Sequence, residues 1–273
     1  IVVVGNGMVG HNFIEKLVAS TGYEHFQVHT FCEEPRLAYD RVYLSSYFSG
    51  KTAEDLSLVK PNFYEDNDIE VYLNDKAVEI DTEAKTVISE QGVKVEYDKL
   101  IMATGSYPFV PPIKGNDREG CLVYRTIEDL EMMKATSAKG KVGVVVGGGL
   151  LGLEAANALK DLGLETHVVE FAPRLMPVQL DDGGAALLKR KIENLGVTVH
   201  TSKATTKIVD GENCINKMVF ADGEELETDV ILFSAGIRPR DDLAKEMGLT
   251  LGPRGGIEID DQCRTSADDV FAI

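Results

Sequence analysis

Residues 141–171, KVGVVVGGGLLGLEAANALKDLGLETHVVEF, decide how the rest of the chain is organised. Residues 142–146 form a short apolar run of the kind used by a strand covered on both faces. Gly147, Gly149 and Gly152 follow in the spacing G-x-G-x-x-G. The first lets the chain turn, the second lets backbone approach a pyrophosphate, and the third lets helix pack on strand. The helix start then offers free N–H groups to an anion. Glu170 closes the next strand about 20 residues on, where a carboxylate accepts both hydroxyls of a ribose. The same charge repels a 2′-phosphate and so favours NAD(H) over NADP(H). The glycine spacing alone is a weak signal; strand, helix and terminal acid together make it specific.

The pattern recurs at the start of the chain. Residues 1–4 are apolar, Gly5, Gly7 and Gly10 repeat the spacing, and Glu33 and Glu34 follow the next strand, expected over 27–32. A helix over 8–20 would place Val9, Phe13, Leu17 and Val18 on one side. Two dinucleotide sites in one chain point to two cofactors exchanging electrons. Residues 36–49, RLAYDRVYLSSYFS, read either as a loop whose arginine pairs with a pyrophosphate or as a solvated loop with aromatic anchors. Residues 53–66 suggest a short helix and turn. Strands are expected over 71–73, 77–80, 86–89 and 93–97, as a meander covering one face of a parallel sheet. Another over 100–106 ends in Ala103, Thr104 and Gly105, small residues that let a ligand approach backbone.

Pro108, Pro111 and Pro112 mark a connector, with a boundary near Ile113. A short helix over 127–134 precedes the central unit. Beyond Glu170, a helix over 180–195 carries Leu187, Leu188, Ile192 and Leu195 at core spacing. Strands follow over 197–200, 203–209 and 217–221, the last closed by Asp222-Gly223, a hairpin signal. A strand over 230–234 runs into AGIRP, echoing the earlier ATG. The series strand, glycine turn, helix, strand, acid, meander, strand thus occurs twice. The fold class is α/β, with one copy (114–240) inserted into the other (1–113 and 241–273).

The formal net charge of −17 argues against binding a nucleic-acid backbone. No apolar run reaches the roughly 18 residues of a membrane span. Cys32, Cys121, Cys214 and Cys263 are scattered without a C-x-x-C pair, and the five histidines form no ligand cluster. These features suggest a reduced, cytoplasmic chain without a metal site. The chain starts directly on a strand, with no signal peptide visible, and its last residues, DDVFAI, read as a strand of a longer protein.

The two fingerprints, the ATG and AGIRP segments and the closing TSADDVFAI resemble the FAD- and NAD-dependent pyridine nucleotide-disulfide oxidoreductases over essentially the whole chain. LAYDRVYLSS is similar to the ferredoxin-reductase branch of that fold. GNGMVGHNFIEKL, FCEEPRLAYDR, KLIMATGSYP, VYRTIEDL and VVEFAPRLM resemble a narrower family, the large subunits of NADH-dependent nitrite reductases. The resemblance implies two Rossmann-like FAD/NAD(P)-binding domains of three-layer ββα form. It implies that Gly5, Gly7, Met8, Val9 and Gly10 cradle the FAD pyrophosphate, with Glu33, and Glu34 beside it, at the ribose. Ala77 would meet the adenine through backbone, Ala103, Thr104 and Gly105 would line FAD, and Arg41 and Arg125 would contact the flavin. Gly147, Gly149, Leu150, Leu151, Gly152 and Glu170 would bind NADH, with Glu154, Gly236 and Ile237 near the nicotinamide.

Three departures qualify the resemblance. Ser46 stands where the branch carries a flavin-side lysine. No cysteine follows Arg36 in that segment, so the dithiol chemistry of the wider family is not expected. The Gly-Asp or Gly-Glu pair expected directly after Ile273 is not in this sequence. The implied activity is hydride transfer from NADH to FAD, with no residue acting as a general acid or base. Electrons would pass to iron–sulfur and siroheme centres in downstream domains, for reduction of nitrite to ammonia in nitrate assimilation. Implied partners are NADH, those redox domains or a small redox protein, and a small nitrite reductase subunit or a second copy. The alternatives are a stand-alone NADH:rubredoxin or ferredoxin reductase and a nucleotide-binding redox sensor without turnover.

Overall fold

In the computed structural model, which describes residues 1–273, all three side chains of Val2–Val4 are buried. A strand apolar at every position needs cover on both faces. Val2 and Val4 pack with Ile80, Val87 and Val95, while Val3 packs with Ile14, Val28 and Tyr64. The strand lies at the centre of a five-stranded sheet in the order Val270–Ala272, Leu100–Met102, Val2–Val4, Val28–Cys32, Ile69–Leu73. Every pairing in it is parallel. The helix Met8–Val18 follows the first strand, and an antiparallel meander of Ala77–Asp81, Thr86–Ser89 and Lys94–Glu96 supplies the opposite layer.

The second copy repeats this plan. Its sheet runs Val197–His200, Glu165–Val169, Val142–Val146, Val230–Phe233, Cys121–Val123, again all parallel. Its helix is Leu150–Asp161, and its meander is Thr205–Asp210, Asn216–Phe220 and Glu225–Thr228. Ile208, Met218 and Phe220 from that meander pack with Val144, Ile231 and Phe233 of the sheet.

The chain divides into two units, Ile1–Arg41 with Ala53–Tyr107 and Arg238–Ile273, and Val42–Thr52 with Pro108–Ile237. The crossings thus fall before the proline cluster and ahead of Arg240, rather than near Ile113 and after Arg240. The backbone explains the shift. In the first unit Arg240 N–H donates to Gly105 O (2.9 Å), and in the second Phe109 N–H donates to Gly236 O (2.9 Å). Val42–Thr52, within the copy expected over 1–113 and overlapping the loop expected over 36–49, belongs to the second unit, where its 3-10 helix Leu44–Ser49 lies against Leu150–Asp161.

Four further expectations change. Residues 71–73 belong not to the meander but to Ile69–Leu73, a parallel strand paired with Val28–Cys32, where Tyr72 stacks on Phe31 at 4.7 Å. Glu225–Thr228 is a strand that polar residues concealed. The helix after Glu170 is Asp182–Asn194, started by the Asp181 carboxylate accepting from Gly184 N–H (2.7 Å). It buries Ala185, half-buries Leu188 and Ile192, and leaves Leu187 and Leu195 exposed. In the first helix, Val9 is 56% exposed and Ile14 takes the core position expected of it, while Phe13, Leu17 and Val18 do pack inward.

Candidate functional site

Each unit carries a glycine turn between its first strand and first helix, and the three glycines do different work. Gly5 at φ +111° and Gly147 at φ +118° occupy backbone that other residues rarely adopt. A Cβ there would also lie 2.2 Å from Ala103 O or 2.3 Å from Ser234 O. The third glycines are required by packing: a Cβ on Gly10 would come within 2.1 Å of Gly5 O, and one on Gly152 within 1.9 Å of Gly147 O. The helix therefore sits against the turn's own carbonyl, a tighter reason than helix-on-strand packing. Gly7 and Gly149 are unlike these. Both have ordinary extended backbone, at φ −91° and −85°, and a Cβ on either would meet nothing within 4 Å.

Nothing inside the protein therefore explains the middle glycine. Both are helix N-caps that supply no side-chain cap, and neither helix has an acid in its first turn. The N–H groups of the helix start face open space with their positive dipole end. A cradle that a Cβ would fill, at an uncapped helix start, fits the pyrophosphate of a dinucleotide.

The turns are braced differently. Asn6, between the first two glycines, is buried, and its Oδ1 accepts from the Tyr64 hydroxyl (3.0 Å). The same hydroxyl lies 2.8 Å from His11 Nδ1, and Phe63 stands edge-on to the His11 ring at 5.3 Å. Burial pushes the His11 pKa down and the Tyr64 pKa up, so both stay neutral near pH 7. In the second unit the bracing group is Glu170. Its Oε2 accepts from Gly148 N–H (2.6 Å) and its Oε1 from Ala172 N–H (2.7 Å). Met176 N–H donates to Gly148 O (3.0 Å), which ties residues 170–176 to the turn.

Of the two first-unit acids, Glu33 faces a cavity of about 120 Å³ that Gly5, Ala77 and Thr104 also line. Glu34 turns away, accepting from the Tyr39 hydroxyl (2.6 Å) and pairing with Arg41. Arg41 also lies over the Tyr39 ring at 4.9 Å. Ala103 offers the carbonyl against which Gly5 packs, and Gly105 turns at φ +66°. Thr104 Oγ1 donates to Arg240 O (2.7 Å), a role its motif did not announce. Lys76, Tyr107 and Arg240 line the cavity too, none of them anticipated.

In the second unit, Leu150 and Leu151 are exposed beside the turn, Gly236 turns at φ +104°, and Ile237 is half exposed. Glu154 lies near the buried Tyr124 hydroxyl; burial, with that carboxylate's charge, pushes the phenol pKa up. Phe48 stacks on Tyr124 at 6.5 Å. Arg125 N–H donates to Asp129 Oδ2 (3.0 Å), whose carboxylate completes a capping box with Thr126 at the helix Ile127–Ser137. Ser46 Oγ donates to Tyr43 O (2.6 Å). The four cysteines are free, and burial pushes the Cys32 and Cys121 thiols up to about 11. No group of three or more His, Cys, Asp or Glu is placed to hold a metal ion, and no helix is long and apolar enough to cross a membrane.

Known proteins resemble this chain in sequence and in fold. A family model described as pyridine nucleotide-disulphide oxidoreductase matches residues 1–273. The chain is 58% identical over 272 residues to the nitrite reductase (NADH) large subunit of Escherichia coli (strain K12), covering 99% of this chain and 32% of that protein. It is 33% identical over 275 residues to a rubredoxin-NAD(+) reductase of Pseudomonas putida, covering 100% of this chain and 70% of that protein. Among solved structures, a NAD-dependent persulfide reductase from A. fulgidus aligns with a TM-score of 0.90 at 30% identity, covering 99% of this chain and 52% of that one. The chain spans about a third of the length of the nitrite reductase relatives it matches.

Proposed function

The chain belongs to the pyridine nucleotide-disulphide oxidoreductase family, and from that premise we propose that it is the NADH-oxidising flavoprotein module of a nitrite reductase. In this reading the first unit (Ile1–Arg41, Ala53–Tyr107 and Arg238–Ile273) holds FAD and the second holds NADH. Bound flavin supplies the two-electron to one-electron conversion that linking NADH to single-electron centres demands. The chain's own residues bind and orient. Gly5, Gly7 and Gly10, with the amides at Met8 and Val9, receive one pyrophosphate; Gly147, Gly149 and Gly152, with Leu150 and Leu151, receive the other. Glu33 and Glu170 stand at the two riboses, and Ala77 and Thr104 line the flavin nucleotide's cavity. Arg41 is assigned toward the flavin, and Glu154, Gly236 and Ile237 toward the nicotinamide; Ser46 and Arg125 fall in the second unit.

The observation that carries this reading is the middle glycine of both turns, with ordinary backbone, open space at its Cβ and an uncapped helix start. Glu170 supports NADH over NADPH, because its carboxylate, fixed by two backbone amides, is set against a 2′-phosphate. The acceptor is drawn from the 58% identity to a nitrite reductase large subunit. Iron–sulfur and siroheme centres would then lie in other domains, with a small subunit or a second copy as partner. The test is an anaerobic NADH titration of the full-length protein, following the flavin absorption band. Bleaching by NADH, slower bleaching by NADPH and recovery on adding nitrite support the reading. Bleaching that nitrite does not reverse favours a second reading, supported by the rubredoxin-NAD(+) reductase similarity, in which electrons leave to a separate small redox protein. Absence of flavin overturns both.

A further inference from the structure

The two ribose acids differ in what holds them. Glu170 is held by backbone amides. Glu33 is held by cations: Arg240 Nη1 lies 2.5 Å from its Oε2, and Lys76 Nζ lies 3.9 Å from its Oε1. Arg240 is itself fixed on both sides of its peptide, its N–H donating to Gly105 O (2.9 Å) and its carbonyl accepting from Thr104 Oγ1 (2.7 Å). Arg240 and Lys76 line the same cavity as Gly5, Glu33 and Thr104. The Glu33–Arg240 pair is about half exposed, so it contributes little to folding. Its placement is better explained by what arrives there. A dinucleotide brings a doubly charged pyrophosphate to a chain of net charge −17, into a cavity that Asp242 also lines.

We propose that Arg240, assisted by Lys76, is the positioning and charge-balancing residue of the first unit's adenosine site. The guanidinium occupies one oxygen of Glu33 and fixes the carboxylate, leaving its other lone pairs for the ribose hydroxyls. The two cations balance the carboxylates of Glu33 and Asp242, so the pyrophosphate meets a neutral rather than an acidic cavity. Thr104 serves this site through Arg240, by anchoring its carbonyl, and Gly105 does so by accepting its N–H. The inference rests on the reading that the first unit takes FAD.

The test uses the full-length protein stripped of flavin, titrated with FAD by quenching of flavin fluorescence at low and at high salt. FMN, which lacks the adenosine half, is titrated alongside, and thermal melts verify folding. Arg240→Gln is expected to weaken FAD binding about tenfold, the scale of one charge-assisted hydrogen bond, and to flatten its salt dependence. It should leave FMN affinity unchanged. Arg240→Lys should recover part of the loss, and Lys76→Gln should show a smaller one. Unchanged FAD affinity and salt slope in Arg240→Gln overturn the proposal. Tighter binding overturns it as well, by showing that Arg240 competes with the ribose for Glu33. Equal loss of FAD and FMN would reduce Arg240 to a structural residue. Failure of the unsubstituted protein to take FAD would instead sink the flavin assignment on which the inference stands.

Discussion

Gly5-Asn6-Gly7 and Gly147-Gly148-Gly149 trace the same turn with the same backbone signs, and the first glycine of each donates to the neighbouring strand, at Phe31 O (3.0 Å) and Val169 O (2.9 Å), yet the side chains that brace one are not found at the other. The first is held from outside by a tyrosine on the short helix Phe63–Asp66, reaching Asn6 across 58 residues. The second is held from within by the acid that ends its own βαβ unit. Because Glu170 accepts from Gly148 of the turn and from Ala172 beyond it, this acid and the second turn are one structure. In the first unit they are separate, and Glu33 is left to cations. Duplication preserved the backbone solution and left each copy free to find its own side-chain support.

The sharpest way to break this comparison is to change glycines within one turn. Gly152→Ala places a Cβ 1.9 Å from Gly147 O, and should cost about 3 kcal/mol or more because backbone must move. Gly149→Ala meets nothing within 4 Å and should leave the melting temperature near that of the unsubstituted protein. It should nonetheless weaken NADH binding by at least about tenfold by obstructing the pyrophosphate. Calorimetry and NADH titration of both variants decide this; equal loss of melting temperature would show that the middle glycine is structural after all.

Removing the acids should expose the asymmetry between the copies. Glu170→Ala strands two amide donors, at Gly148 and Ala172, and is expected to cost about 2 kcal/mol while relaxing discrimination against NADPH. Glu33→Ala removes no turn contact and should melt like the unsubstituted protein. A first unit as sensitive as the second would erase the distinction. Next in size, Tyr64→Phe deprives Asn6 Oδ1 and His11 Nδ1 of a partner, for an expected loss of about 1–2 kcal/mol in denaturant titration. No effect would mean that Asn6 does not brace the turn.

The smallest effect concerns acid. His167 Nδ1 and His200 Nε2 lie 3.1 Å apart on neighbouring strands, and burial holds both pKa values below 6.5. As pH falls through 6.5, the unfolded chain takes up these protons before the native one, so their stability contribution is full above 6.5 and declines below it. Melting temperature should therefore fall on acidification, and His200→Gln should flatten the decline. An unchanged slope would place the acid sensitivity elsewhere.

How much of this was legible in the sequence follows from the range of each contact. The glycine turns, the parallel strands and the hairpin at Asp222-Gly223 are demands of local backbone, written within a few residues. The bracing of Asn6 and the pairing of Glu33 with Arg240, 207 positions away, depend on which distant segments fold together. No local pattern encodes that, although the second arginine of AGIRPR was the visible trace. Glu225–Thr228 was missed because alternating acids masked a strand defined by its partner, Asn216–Phe220. Leu187 and Leu195 misled because helical spacing shows which residues share a face, not whether that face is covered.

The hydrogen bond from Phe109 N–H to Gly236 O has a consequence for the history of the chain. The peptide path into the Pro108–Ile237 segment and the path out of it run side by side, so its two ends are neighbours in space. A segment with adjoining ends can be spliced into or out of a host loop with little stretching of either connection and little added closure entropy. The helical stretch Val42–Thr52 is the exception, a piece of the host's sequence claimed by the guest. Any exchange of the segment between relatives would have to carry it along, so these eleven residues mark the seam along which recombinants would fail or fold.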